Sequence, residues 1–155
     1  MTGSPEDQLH QAVADRLGGR VEEGRRAFRD RMNFWANWNL GRLLFGWGPV
    51  SVIARPDERA VMLQFHSDSR LAVDLVYNGP HGFEFTSHGE IRGYPPEDLP
   101  RDEVLRLVHP QRPFQRLFLD SHLIEFDTTY GFGPGEPDRI VRVVEALREV
   151  AVLLE

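Results

Sequence analysis

Residues 61–77 read VMLQFHSDSRLAVDLVY, and this stretch decides the fold class. Val61, Leu63 and Phe65 alternate with other side chains, and a second alternating run follows from Leu71 to Tyr77. Apolar residues at every second position are typical of a β-strand with one buried face. Because only a short Ser-Asp-Ser turn joins the two runs, the sequence predicts an antiparallel pair of strands.

The strand pattern extends in both directions from this pair. Residues 50–54 predict a strand before it, and Phe83 and Phe85 predict a strand after it. Asn78-Gly79 favours a tight hairpin turn between the second run and Phe83. The sequence therefore predicts a four-stranded antiparallel meander, and residues 114–126 predict a separate hairpin further along the chain.

Helical periodicity surrounds the predicted strands. One continuous apolar stripe predicts an amphipathic C-terminal helix over residues 137–154, and residues 100–109 predict a short middle helix. Helical spacing from Leu9 to Leu17 stops at Gly18-Gly19, since two glycines destabilise a helix by about 2 kcal/mol relative to alanine. A further helix is predicted from about Arg20 to Leu44.

These elements together predict an α+β fold. Its sheet consists of the antiparallel meander and the hairpin, and it is packed by an N-terminal helix, a short middle helix and a C-terminal amphipathic helix. Residues 1–7 are polar and are predicted to form a flexible tail, and residues 8–155 a single α+β domain.

The composition excludes several kinds of chemistry. The chain has no cysteine and no lysine, so all 18 basic side chains are arginine. Disulfides, thiolate nucleophiles, sulfur-based zinc sites, Schiff bases and phosphate-loop lysines are therefore excluded. The net charge of −6 repels nucleic acid overall. No apolar run reaches the roughly 20 residues of a membrane span, and the start of the chain lacks a secretion signal, so we expect a cytoplasmic protein that contacts no membrane.

A glycine-rich loop at residues 131–135 precedes the predicted last helix. Phosphate sites at helix starts use backbone N–H groups and the positive end of the helix dipole. Here Pro134 and Pro137 remove N–H groups, and Glu136 and Asp138 already place negative charge at the helix start. The loop is therefore interpreted as a turn rather than a phosphate site.

Histidines and carboxylates offer a candidate metal group, and Glu84, His88 and Glu90 fall on or beside one predicted hairpin. Zinc enzymes of the best-known type place two histidines four residues apart on a helix, and the sequence contains no such pair and no His-x-His pair. We therefore expect no catalytic residues, no cofactor and no bound metal, and we expect that the protein is not an enzyme.

Arginine and aromatic residues are concentrated in the segment after Gly18-Gly19. The candidate partner-binding residues are Arg25, Arg29, Phe34, Trp35, Trp38, Phe45 and Trp47. On a helix, positions 34, 35 and 38 cover a broad arc, and one small sheet covers only one stripe, so part of this set is expected at an interface. Three interpretations stay open: a buried core, a protein interface, or a stacking surface for single-stranded nucleic acid.

The order of elements resembles the type III secretion chaperone-like fold, which includes the bacterial YbjN-type proteins. The matching features are a long N-terminal helix, the strands at residues 61–65 and 71–77, the helix near Asp102 to Val108, the hairpin from Phe114 to Phe126 and the closing helix. The resemblance covers about residues 8–155, and the fourth meander strand and the glycine break depart from its simplest pattern. It implies a homodimer that binds other proteins and performs no catalysis.

The leading hypothesis is therefore a non-enzymatic, cytoplasmic protein-binding module, chaperone-like or regulatory, that forms a homodimer and binds a protein partner. One alternative is an immunity- or antitoxin-like protein whose carboxylates neutralise a basic partner. A second is a protein associated with single-stranded nucleic acid through the arginine and aromatic segment. A third is an enzyme that uses Glu84, His88 and Glu90 around a metal.

Overall fold

The computed structural model describes residues 4–23, 50–54, 59–66, 68–111, 114–120 and 122–155. Within these ranges, three helices and eight strands follow in the order α1 (Pro5–Leu17), β1 (Arg20–Glu23), β2 (Val50–Ala54), β3 (Val61–Phe65), β4 (Arg70–Val76), β5 (Phe83–Thr86), β6 (Ile91–Gly93), α2 (Arg101–Val108), β7 (Phe114–Asp120), β8 (Leu123–Thr129) and α3 (Glu136–Leu154). The described strands form one antiparallel sheet in the order β1-β2-β3-β4-β8-β7-β5-β6. The predicted α+β class is confirmed.

The hydrophobic core joins the helices to one face of the sheet. Val73 on β4 pairs with Phe126 on β8, and both side chains are fully buried. Val13 of α1, Val104 of α2 and Leu147 of α3 belong to the same buried cluster. The middle helix and the C-terminal helix are therefore confirmed, and each contributes its apolar side to this core.

The predicted hairpin at Asn78-Gly79 is wrong, because β8 and β7 lie between β4 and β5. β4 instead pairs along its whole length with β8. The backbone N–H of Asn78 donates to the Glu155 carboxylate at 2.9 Å, and Gly79 lies so close to the Tyr77 ring that a Cβ there would be 2.4 Å from the hydroxyl oxygen. The turn is thus held by contacts outside it, and local turn preference does not decide the strand pairing.

The remaining strand predictions divide into confirmed and missed elements. The β2-β3-β4 meander and the β7-β8 hairpin are confirmed, and β5 forms at the predicted position. β6 was not predicted, because three residues are too few for a readable alternation. It pairs with β5 and forms one edge of the described sheet.

The predicted tail at residues 1–7 is wrong for residues 5–7, which form the first turn of α1. The side-chain hydroxyl of Ser4 accepts the backbone N–H of Asp7 at 3.2 Å, and the Asp7 carboxylate accepts the backbone N–H of Ser4 at 3.3 Å. This reciprocal capping box fixes the start of the helix. At the other end, Gly18 adopts a left-handed conformation with φ 69°, as expected for a C-terminal glycine cap.

The predicted helix from Arg20 to Leu44 is wrong at its beginning. Residues 20–23 form β1, in which Arg20 is paired with Ile53 and Val21 with Val52. The glycine pair ends α1 and lets the chain turn back, so that these residues take their hydrogen bonds from β2 rather than from a helical turn. The rest of the predicted helix lies outside the described residues.

The opposite face of the sheet is also buried at its centre. All five residues of β3 are buried, although the alternation predicts that Met62 and Gln64 face away from the core. Asp74 on β4 is 2% exposed and Leu123 on β8 is fully buried. That prediction of a single buried face is therefore wrong for β3, whose Val-Met-Leu run is typical of a strand that is covered on both sides.

Candidate functional site

Helix α3 carries one strongly exposed apolar side chain, Val152, beside its charged residues. Its buried stripe consists of Ile140, Val143, Val144, Ala146, Leu147, Val150 and Ala151. Val152 follows Arg148 by four positions and Glu149 by three, so it shares their side of the helix. It is 70% exposed. A single exposed valine is ordinary on a protein surface, so its significance depends on its surroundings.

Val152 borders an open groove between α2 and α3, with a volume of about 530 Å³. α2 places Val104 and Val108 in the core beside α3, and this packing fixes the two helices next to each other. The groove is lined by Glu103, Arg106, Leu107, Arg148, Glu149, Val152 and Leu153. Its apolar floor is formed by half-buried leucines that pack against the core. We call this surface the α2–α3 groove.

Two acids and two bases surround this apolar floor. Glu103 and Arg106 come from α2, and Arg148 and Glu149 come from α3. None of the four forms an ion pair with another residue in the described part of the chain. The Nη2 atom of Arg148 is buried and has no hydrogen-bond partner there. Buried polar atoms normally have a partner, so this guanidinium has an unused donor at the edge of the groove.

The side chains in the groove offer apolar, anionic and cationic contacts to a bound molecule. Its lining consists of aliphatic groups, carboxylates and guanidinium groups. Pockets of about 300–1,000 Å³ are large enough for a ligand or for several side chains of a partner. The apolar floor can bury an apolar side chain, and the surrounding charges can form ion pairs of both signs.

The partner-binding residues predicted from the sequence lie outside the described residues. Arg25, Arg29, Phe34, Trp35, Trp38, Phe45 and Trp47 all fall in the range 24–49. Their assignment to a protein interface therefore stays a prediction. The α2–α3 groove is a second, separate candidate surface that the sequence reasoning did not identify.

The side chains of the hypothetical metal group have other roles. The Glu84 carboxylate lies 3.1 Å from the Nε atom of Arg116, whose guanidinium also stacks over the Phe118 ring at 4.6 Å from its centroid. Glu90 lies 3.9 Å from Arg92, and His88 is exposed. In the part of the chain that the structure covers, no three His, Asp or Glu side chains are grouped in a way that could hold a metal.

The glycine-rich loop supplies its amide to the protein itself. The backbone N–H of Gly131 donates to the Glu136 carboxylate at 2.9 Å, and the Arg139 Nε atom donates to the same oxygen at 3.0 Å. Burial works to raise the pKa of Glu136, but these hydrogen bonds outweigh it and the pKa is lowered. An ionised carboxylate therefore occupies the place where a phosphate would bind, which supports the interpretation of the loop as a turn.

Comparisons with known proteins identify a shared fold. No family model matches this chain, and no curated protein matches it. A solved structure, the crystal structure of the mycobacterial trehalose monomycolate transport factor A (TtfA), is similar with a TM-score of 0.59. The similarity covers 94% of this chain and 92% of that chain at 9% sequence identity. At this identity the similarity establishes a common architecture, and the resemblance to the YbjN-type family stays a prediction.

Among the described helices, none combines the length and apolarity that crossing a bilayer requires. The 19-residue helix α3 is long enough, but it carries charged side chains along one side.

One sequence signal could have identified the α2–α3 groove. Val152 is apolar at a position where the helical pattern expects a polar residue, on the side that carries Arg148 and Glu149. The position of α2 beside α3 could not be read from the sequence, because it depends on how both helices pack on the sheet. The tertiary structure was therefore required to identify the groove, whereas Val152 can be recognised from the sequence alone.

Proposed function

We propose that this protein is a non-enzymatic protein-interaction module that binds a protein partner through the α2–α3 groove. The observation that carries the proposal is the exposure of Val152 at the border of an apolar groove. The proposal covers a client protein and a second copy of this chain as partners, and it places both in the cytoplasm, as the sequence leads us to expect.

Physical features of the groove support protein binding. Protein interfaces combine a central apolar area with a polar border, and the groove has half-buried leucines at its floor and four charged side chains around it. These charges lack ion-pair partners in the described part of the chain, so a partner can pair with them without breaking existing contacts. A transport factor with the same fold is consistent with a binding role.

Site-specific photo-crosslinking tests the proposal. Val152 is replaced by the photoreactive amino acid p-benzoylphenylalanine in the cells from which the chain comes, and the cells are irradiated. We expect protein adducts at this position because the side chain projects toward the groove. The adducts are separated by mass and identified by mass spectrometry.

His88 provides a matched control position, because it is exposed on the turn between β5 and β6 and does not line the groove. The same replacement there should give no specific adduct. If position 152 yields no adduct, or the same adducts as position 88, the proposed function is wrong.

A further inference from the structure

The exposed surface around the α2–α3 groove carries both a projection and a depression. Val152 projects at its border with 70% of its surface exposed, and Leu107 and Leu153 lie at its floor. A twofold interface uses the same patch on both subunits, so one patch must supply both complementary shapes. From this we infer that the partner in the groove is a second copy of this chain, with Val152 of each copy inserted into the groove of the other. The inference rests on the proposed function and names its partner.

The charges around the groove match a second copy. Glu103 and Glu149 balance Arg106 and Arg148, so the surface has no net charge. A strongly acidic or basic partner would bring like charges together, and like charges in contact oppose binding. A second copy brings two carboxylates and two guanidinium groups, and a twofold axis lets each kind meet its opposite.

Arg148 gives this pairing a specific requirement. Its side chain lines the groove and forms no ion pair in the described part of the chain. Glu103 and Glu149 are the carboxylates that line the groove, and a second copy bound through the same surface brings the same two. A carboxylate of the second copy pairs with the accessible part of the Arg148 guanidinium, because carboxylate and guanidinium groups form strong charge-assisted hydrogen bonds.

The size of the groove sets the expected strength of the dimer. Each copy contributes one groove and four charged side chains, which together form a small contact of the class below about 1,200 Å² in total. Interfaces of this class are weak or transient. We therefore expect a dimer that dissociates on dilution, with measured masses between 17.8 kDa and twice that value over a concentration series.

Opposite charge reversals test the pairing. In the first variant, Glu103→Arg and Glu149→Arg make the charged border entirely basic, and in the second, Arg106→Glu and Arg148→Glu make it entirely acidic. Each variant alone should remain near 17.8 kDa at concentrations at which the wild type dimerises. An equimolar mixture should form the dimer again, and added salt should weaken it. Light scattering after size exclusion measures all four samples.

Two further variants keep the test decisive. Because Arg148 is half-buried, Arg106→Glu alone replaces the second variant if circular dichroism shows that the double change unfolds the protein. Glu97→Arg with Asp98→Arg is the matched control, since both residues are exposed in the connection before α2 and outside the groove. This control should dimerise like the wild type. A monomeric wild type, or a mixture that stays monomeric, overturns the inference.

The crosslinking experiment distinguishes this inference from the proposed function. An adduct at position 152 with twice the mass of the chain supports a second copy. An adduct with another protein alone overturns the inference and leaves the proposed function in place. No adduct at all overturns both.

Discussion

His10 is buried without a hydrogen-bond partner. Its side chain is 3% exposed, neither ring nitrogen has a partner, and its ring lies 4.3 Å from the Phe65 ring and 6.3 Å from the Tyr130 ring. A neutral imidazole carries one donor and one acceptor, and leaving such a group unpaired costs about 1–3 kcal/mol. Burial lowers the pKa of His10, although Glu6 and Asp7 act to raise it. The folded state therefore favours the neutral imidazole.

The first prediction is that His10→Leu makes the free energy of unfolding depend less on pH between pH 7 and pH 5. In the unfolded chain a histidine titrates near pH 6.5, so below this pH the unfolded state binds a proton more readily than the folded state. The wild-type free energy of unfolding should therefore fall as the pH drops from about 7 to 5. Leucine binds no proton, and its similar size should limit the change at pH 7 to about 1.5 kcal/mol.

Denaturant titrations at pH 7, 6 and 5 measure this difference. His88→Leu is the control, because His88 is exposed and its replacement should leave the wild-type slope unchanged. If His10→Leu and the wild type lose the same free energy between pH 7 and pH 5, the unfavourable protonation of His10 is not the cause of acid sensitivity.

At the scale of elements, α1 has hydrogen-bonded caps at both ends. Ser4 and Asp7 cap its first turn, and the left-handed Gly18 ends it, with its backbone N–H donating to the Asp15 carbonyl at 3.4 Å. Isolated helices of this length are marginal in water. The buried residues Leu9, Val13 and Leu17 therefore depend on the caps as well as on packing to hold α1 on the sheet.

The second prediction is that Ser4→Ala destabilises the protein by about 1 kcal/mol, the typical cost of losing a side-chain N-cap. The substitution removes the acceptor of the Asp7 N–H. Amide hydrogen exchange should be faster in the first turn of α1, and thermal unfolding should shift to a lower temperature.

Gln11→Ala is the matched control, because it removes an exposed side-chain bond from the Gln11 amide to Asp15 at 2.8 Å within the same helix. Its effect should stay within about 0.5 kcal/mol, as for other surface changes. Equal effects of the two substitutions would show that the capping box does not hold the start of α1.

Elements with complete local signals could be predicted from the sequence. α2 and α3 have an apolar stripe and acidic residues in the first turn, and the β3–β4 pair is indicated by two alternating runs close together in the sequence. β1 has no such signal, because its four residues become a strand through pairing with β2. Asn78-Gly79 has a strong local signal, but the pairing of β4 with β8 excludes the hairpin.

The candidate site could be predicted less well than the fold. The position of Val152 on the charged side of α3 is a local signal, whereas the groove requires α2 and α3 to be neighbours. A charge such as Arg148, which has no ion pair among the described residues, also cannot be recognised in a sequence, because nearly every surface charge could have a partner. A binding surface formed between helices therefore depends on tertiary packing.

At the scale of the whole molecule, the C-terminal hairpin completes the centre of the sheet. β8 pairs with β4 on one side and with β7 on the other, and β7 pairs with β5. Without the hairpin, the described strands separate into β1–β4 and β5–β6, which have no pairing with each other. Phe126 lies at this junction, fully buried and stacked on Phe114 with ring centroids 5.4 Å apart. The first and second halves of the chain therefore depend on each other for their cores.

The third prediction is that a fragment ending at Gln111 does not unfold cooperatively, although it contains six of the eight described strands. It lacks β7, β8 and α3, and with them one of the two sheet partners of Val73 and one of those of Phe85. In a meander with β4 beside β5, the same fragment would keep an unbroken sheet. Thermal unfolding of the fragment, followed by near-ultraviolet circular dichroism, distinguishes the two arrangements.

A peptide of residues 112–155 should restore the cooperative transition, because it supplies the strands that join β1–β4 to β5–β6. A cooperative transition in the fragment alone would mean that β1–β6 hold together without the C-terminal hairpin, contrary to the order of strands in the sheet.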